Sequence, residues 1–196
     1  MNKKLLEEIR NHFNNESTEL IRKMEQNYNT LLPMTEFESK DRAKNMRESI
    51  LPFIALYQAL QSEGIDKETA MKHMFAITES FTRHGMRRTY EKAGKLPFFF
   101  SLFRKMFSTG LKGKSWEVEW VSNNSETFEY NIKKCLWHET CMKAGCPELC
   151  VIFCHNDDIN FTDVSPHLYF RINTTLGEGG DCCDFHFYSH EPKSEK

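Results

Sequence analysis

Apolar residues recur at helical spacing through the first half of the chain and at two-residue spacing in later stretches. Leu5, Leu6, Ile9, Phe13, Leu20, Ile21, Met24, Tyr28 and Leu31 keep a roughly helical period, predicting helix as far as Pro33, which ends it. A second helical stretch covers about 38–63, where Pro52 starts a fresh segment or kinks a continuous one, and Gly64 closes it. Asp66 is placed to cap a third helix, with Glu68 in its first turn and a stripe of Ala70, Met71, Met74, Ile77 and Phe81. Gly94 and Pro97 bound it. A short aromatic helix follows, carrying Phe98, Phe99, Phe100, Leu102, Phe103, Met106 and Phe107. It is expected to be core rather than a membrane contact, because Lys105, Lys112 and Lys114 are too few for a basic anchor.

From Trp116 the period changes to two. Val118 and Trp120, then Phe128, Tyr130 and Ile132, alternate around Asn123-Asn124-Ser125, a hairpin signal. Residues 136–145 read as helix ending at Gly145, and Pro147 opens another, expected to reach Cys154 or His155. Leu168, Phe170 and Ile172 alternate again. Gly177-Glu178-Gly179-Gly180 turns the chain, and Cys183, Phe185 and Phe187 alternate on the return. The pattern predicts an α+β fold. A helical N-terminal part (1–115) packs on a four-stranded, mainly antiparallel sheet (116–190) with one or two inserted helices, the whole forming one compact domain. The polar tail, 191–196, is expected to fray.

Composition narrows the function. Of 196 residues, 39% are hydrophobic and 28% charged, the balance of a folded globule. No apolar run approaches the ~20 residues that span a bilayer. The charged start, Met1-Asn2-Lys3-Lys4, lacks the apolar core of a signal peptide, so a cytoplasmic protein without a membrane partner is expected. The net charge of −2 hides a split: 20 Lys and Arg against 14 Asp and Glu in 1–115, and 6 against 14 in 116–196. Attraction between the halves is the plain reading. No basic stripe with interleaved aromatics dominates either half, so nucleic acid is not an expected partner. All seven cysteines lie between Cys135 and Cys183. Their odd number and the missing export signal disfavour a disulfide framework, leaving free thiols, metal ligands or a nucleophile with bystanders.

The return strand holds the densest chemistry. Alternation puts Cys182, Asp184 and His186 on one face and Cys183, Phe185 and Phe187 on the other. The polar face is either a sheet surface facing water or an acid/base pair, since histidine titrates near neutrality. Cys146, Cys150 and Cys154 are spaced by four along one helical face, consistent with small apolar packing, a metal or thiol site, or one reactive member. Arg171 is a carboxylate clamp or a surface salt bridge. Thr174 and Thr175 supply hydroxyls or cap the turn. The glycines match no phosphate-binding fingerprint.

Four stretches together resemble the L-2-amino-thiazoline-4-carboxylic acid hydrolase family: Ala55–Ala70, Phe153-Cys154-His155-Asn156-Asp157, Phe170–Gly180 and Cys183-Asp184-Phe185-His186-Phe187. On that resemblance Cys154, Asp157, Arg171, Thr174, Gly179, Cys183, Asp184 and Phe185 fall on the family's pattern, while Cys135, Cys141, Cys146, Cys150 and Cys182 are peculiar to this chain. The resemblance implies a hydrolase opening a small cyclic C=N/C–S substrate that carries a carboxylate, without a cofactor. It assigns the carboxylate to Arg171, with Thr174 and Gly179 beside it. Proton transfers fall to His186 or Asp184, with Asp157 alongside, and the nucleophilic or polarising role to Cys154 or Cys183. The alternative is a small-ligand or zinc-binding sensor without turnover, with Cys146, Cys150, Cys154 and Cys182 as ligands, joined by His138 or His186. A structural partner protein ranks last.

Overall fold

The computed structural model describes residues 2–192, and residues 193–196, with most of the expected tail, lie outside them. The fold is α+β: most helices precede a four-stranded antiparallel sheet whose spatial order is first, second, fourth and third strand, and two helices are inserted between its second and third strands. The described residues divide into two compact units, each drawn from two stretches: residues 2–81 with 136–153, and residues 82–135 with 154–192.

The first unit is helical. Helix α1 (Lys3–Phe13) and α2 (Ser17–Leu31) bury the predicted stripe through Leu5, Ile9, Leu20, Met24 and Leu31. Helices α3 (Lys40–Asn45) and α4 (Leu51–Ser62) are joined by a π-helical turn, Met46–Ile50, so Pro52 begins a fresh α-helix where its missing N–H costs nothing. Helix α4 is buried almost all round, from Leu51 to Leu60, and is the unit's centre. Tyr57 carries its hydroxyl into that centre and donates to Glu148 at 2.7 Å. Helix α5 (Lys67–Thr82) starts as expected, with Asp66 accepting from the Thr69 N–H at 3.0 Å. Helix α8 (Leu136–Lys143) completes the unit. Its Glu139 receives Arg42 at 2.8 Å.

The second unit holds the sheet. Helices α6 (Arg88–Ala93) and α7 (Phe99–Gly110) precede β1 (Trp116–Asn123) and β2 (Thr127–Cys135). Asn124 closes the hairpin by accepting from the N–H groups of Glu126 and Thr127 at 2.8 and 2.9 Å. Helix α9 runs from Cys150 to Phe161, nearly two turns beyond the expected stop at Cys154 or His155. The polar run His155–Asp158 reads as an ending, but Ile159 and Phe161 are buried beyond it and carry the helix on. Strands β3 (Tyr169–Ile172) and β4 (Cys183–Tyr188) follow. One face of the sheet buries Phe128, Tyr130, Ile132, Cys183, Phe185 and Phe187 against Phe103 and Phe161. Phe187 lies 4.9 Å from Phe103 and 5.3 Å from Phe161, ring centre to ring centre. Each fully buried Phe contributes roughly 1.5–3 kcal/mol, which pins α7 and α9 to this face. Gly94 is required by close approach: a Cβ there would fall 2.5 Å from the Val164 carbonyl.

Candidate active site

Strand β4 pairs with β2 and β3 without a register shift, from Ile132 opposite Cys183 to Arg171 opposite His186. No bulge relaxes the alternation at the double cysteine. The predicted residues therefore divide between the two faces of the sheet.

The inner face carries Cys183. Its sulfur accepts the Leu176 N–H at 3.2 Å and hydrogen-bonds with Cys154. The thiol is pushed up, first by the Cys154 sulfur and then by burial, so Cys183 stays protonated and can donate to Cys154. Cys154 is half-buried and keeps solvent access; Cys183 is 6% exposed. Asp157 follows Cys154 by three residues on α9 and shares its face with Phe161, one turn on. Burial pushes the Asp157 carboxyl well above the ordinary range, and Cys154 and Asp158 push it further. Yet Asp157 is not sealed: the side chain keeps some accessible surface, and among the described residues it accepts no hydrogen bond. A neutral carboxyl with open hydrogen-bonding capacity, one helical turn from a thiol, has the chemistry of a proton donor.

Two tyrosines border this group. Tyr130 on β2 stacks on Phe185 at 5.1 Å, and Tyr90 on α6 lies 5.6 Å from Phe161. Burial, then the nearby Asp157, raises the Tyr90 hydroxyl to about 12 and drives that of Tyr130 well above its usual value. Both hydroxyls are therefore neutral. Neither tyrosine is among the predicted site residues. The available signal was a phenol at position 130 in an otherwise hydrocarbon stripe.

The outer face carries Asp184, His186 and Arg171. Asp184 accepts from the Asn173 and Thr174 N–H groups at 2.8 Å each, from Asn173 Nδ2 at 2.7 Å, and meets His186 Nε2 at 3.2 Å. Burial alone would raise this carboxyl; the hydrogen bonds outweigh it and hold it below its ordinary value. It is an ionised clamp that fixes the chain leaving β3. His186 is held between Asp184 and Glu129, the latter at 3.0 Å. Thr174 belongs to the same clamp. Gly179 caps the short turn Leu176–Glu178 in the left-handed region at φ 88°. Arg171 is exposed, forms no ion pair among the described residues, and opens onto a cleft of about 350 Å³ with Leu168, Tyr169 and Thr162. Strand alternation turns Arg171 away from Cys183, so the candidate carboxylate clamp and the thiols lie on opposite faces of the sheet.

Of the thiols of the zinc alternative, Cys150 and Cys154 lie one turn apart on α9, while Cys146 precedes that helix and Cys182 precedes β4. Cys146 is hydrogen-bonded to Cys141, and His138 lies on α8 of the first unit. Among the described residues no three His, Cys, Asp or Glu side chains are grouped so as to hold a metal ion.

A family model described as L-2-amino-thiazoline-4-carboxylic acid hydrolase matches residues 42–187. No curated protein and no solved structure matches the chain.

Proposed function

The chain belongs to the L-2-amino-thiazoline-4-carboxylic acid hydrolase family, and from that premise we propose that it opens a small cyclic C=N/C–S substrate bearing a carboxylate, with the chemistry on the inner face at Cys154. The observation that carries the reading is the meeting of Cys154, Cys183 and Asp157: an accessible sulfur, a neutral thiol hydrogen-bonded to it, and a carboxyl held protonated one turn away.

The steps follow from those protonation states. The Cys154 sulfur adds to the carbon between nitrogen and sulfur, and its proton passes to the ring nitrogen. Cys183 donates to the attacking sulfur and favours its ionisation. The bond from that carbon to the ring sulfur breaks, and the sulfur leaves as a thiol with the proton of Asp157. The ionised Asp157 then faces an amidinium cation, which offsets its burial. Water adds to the same carbon and returns a proton to Asp157. Collapse to the carbonyl expels the Cys154 sulfur, which takes the hydroxyl proton. One water is consumed, and the product is a ring-opened carbamoyl thiol. Tyr90 and Tyr130 border the carboxyl and keep its surroundings free of charge. No metal is invoked.

The test is turnover of 2-amino-thiazoline-4-carboxylate by the purified chain, followed by mass spectrometry of the N-carbamoyl-cysteine formed. Cys154→Ala should abolish it and Cys183→Ala should slow it. Full activity in both variants removes the thiol mechanism.

A further inference from the structure

We propose that α7 and the loop before it form a docking face for the surface of an anionic lipid bilayer. Helix α7 is apolar on two sides. Phe99, Phe100 and Phe103 face the core, while Phe98, Leu102 and Met106, each four residues on, point outward. These three are 58%, 45% and 50% exposed, and Leu96 in the preceding loop is 38% exposed. Single exposed apolar residues are ordinary; a stripe along one helix face is not.

Charge names the occupant. Between Glu91 and Glu117 the chain carries Lys92, Lys95, Arg104, Lys105, Lys112 and Lys114 and not one acidic residue. Lys92, Lys95, Lys105, Lys112 and Lys114 are all exposed. Lys105 precedes Met106 and follows Phe98 by seven residues, so it borders the stripe directly. An apolar helix face edged by cations and free of carboxylates is the composition of a helix lying in the headgroup region, its hydrocarbon entering the acyl boundary and its cations meeting phosphates. No helix among the described residues is long and apolar enough to cross a membrane, so the contact is along a surface. The sequence-based expectation of no membrane partner rested on the lack of a spanning apolar run and of a signal-peptide core, and on three lysines being too few for a basic anchor. The exposed stripe and the acid-free segment are the grounds for departing from it.

The test uses the full chain and sedimentation with vesicles of phosphatidylcholine alone or mixed with phosphatidylserine. Binding is expected to the mixed vesicles only and to weaken with salt. The triple variant F98S/L102S/M106S should lose it. Reversing Lys95 and Lys105 to Glu, a change that touches no buried side chain, should weaken it at least about tenfold, since each basic group at such a surface is worth roughly fivefold. Equal or absent binding to the two vesicle types overturns the proposal. So does a lipid-free dimer that the triple variant dissolves, which would make the stripe an interface between two copies.

Discussion

Replacing Asp157 by Asn exchanges a carboxyl for a neutral side chain of nearly the same shape. The folded protein raises the Asp157 carboxyl through burial, then Cys154 and Asp158. Its neutral form is thus favoured by folding. That stability is fully present below the ordinary carboxyl value of ~3.9 and is lost as pH rises through the folded value, at up to about 1.4 kcal/mol per pH unit. Partial solvent access makes this slope an upper bound. The amide of the D157N variant would carry no such dependence. Urea unfolding of both proteins from about pH 5 to 8, read by tryptophan fluorescence, isolates the effect, because every other titrating group is common to the two. The wild type minus D157N difference should fall with pH, so that D157N becomes the more stable protein at the alkaline end. Its activity should drop even there, because the proton donor is gone. A difference independent of pH would show that Asp157 ionises in the folded protein at its ordinary value and would refute its role as a neutral acid.

Asp184 has the opposite sign. Its folded carboxyl lies below the ordinary value, so its contribution is present above ~3.9 and lost as pH falls through the folded value. Asp184→Ala should cost about 2–5 kcal/mol in urea unfolding at neutral pH, since the donors from Asn173 and Thr174 lose a charged acceptor. Gly94→Ala should cost about 1–3 kcal/mol by overpacking, because the Val164 carbonyl cannot yield as a flexible side chain would. Protein purified without added metal should hold well below one zinc per chain by elemental analysis, and full thiazoline turnover should survive chelation; a stoichiometric thiolate-bound zinc would instead support a sensor.

Much of the sheet was legible from period alone. Phe128, Tyr130 and Ile132, then Phe185 and Phe187, alternate so regularly that the faces follow once the strands are granted, and the structure keeps that register through Cys183. The separation of Cys183 from Asp184 is the same rule at work. Less legible was the extent of α9. His155, Asn156, Asp157 and Asp158 look like a surface ending, and only the burial of Ile159 and Phe161 shows the helix continuing beneath the sheet. That continuation puts Asp157 beside Cys154 rather than in a loop. Arg171 illustrates the converse. Its place between Phe170 and Ile172 gives no face by itself; the pairing with His186 does. Tyr90 came from a helix distant in sequence, where no spacing rule connects it to Asp157.

The most direct test of the inner-face chemistry compares kcat/KM for thiazoline hydrolysis across the two sides of the sheet. Cys154→Ala and Asp157→Asn on one side are expected to lose a hundredfold or more, on the order of a missing nucleophile or general acid. Arg171→Ala and His186→Ala on the other are expected to remain within about tenfold of wild type. Turnover that survives in the first pair and collapses in the second would move the reaction to the opposite face and contradict the account.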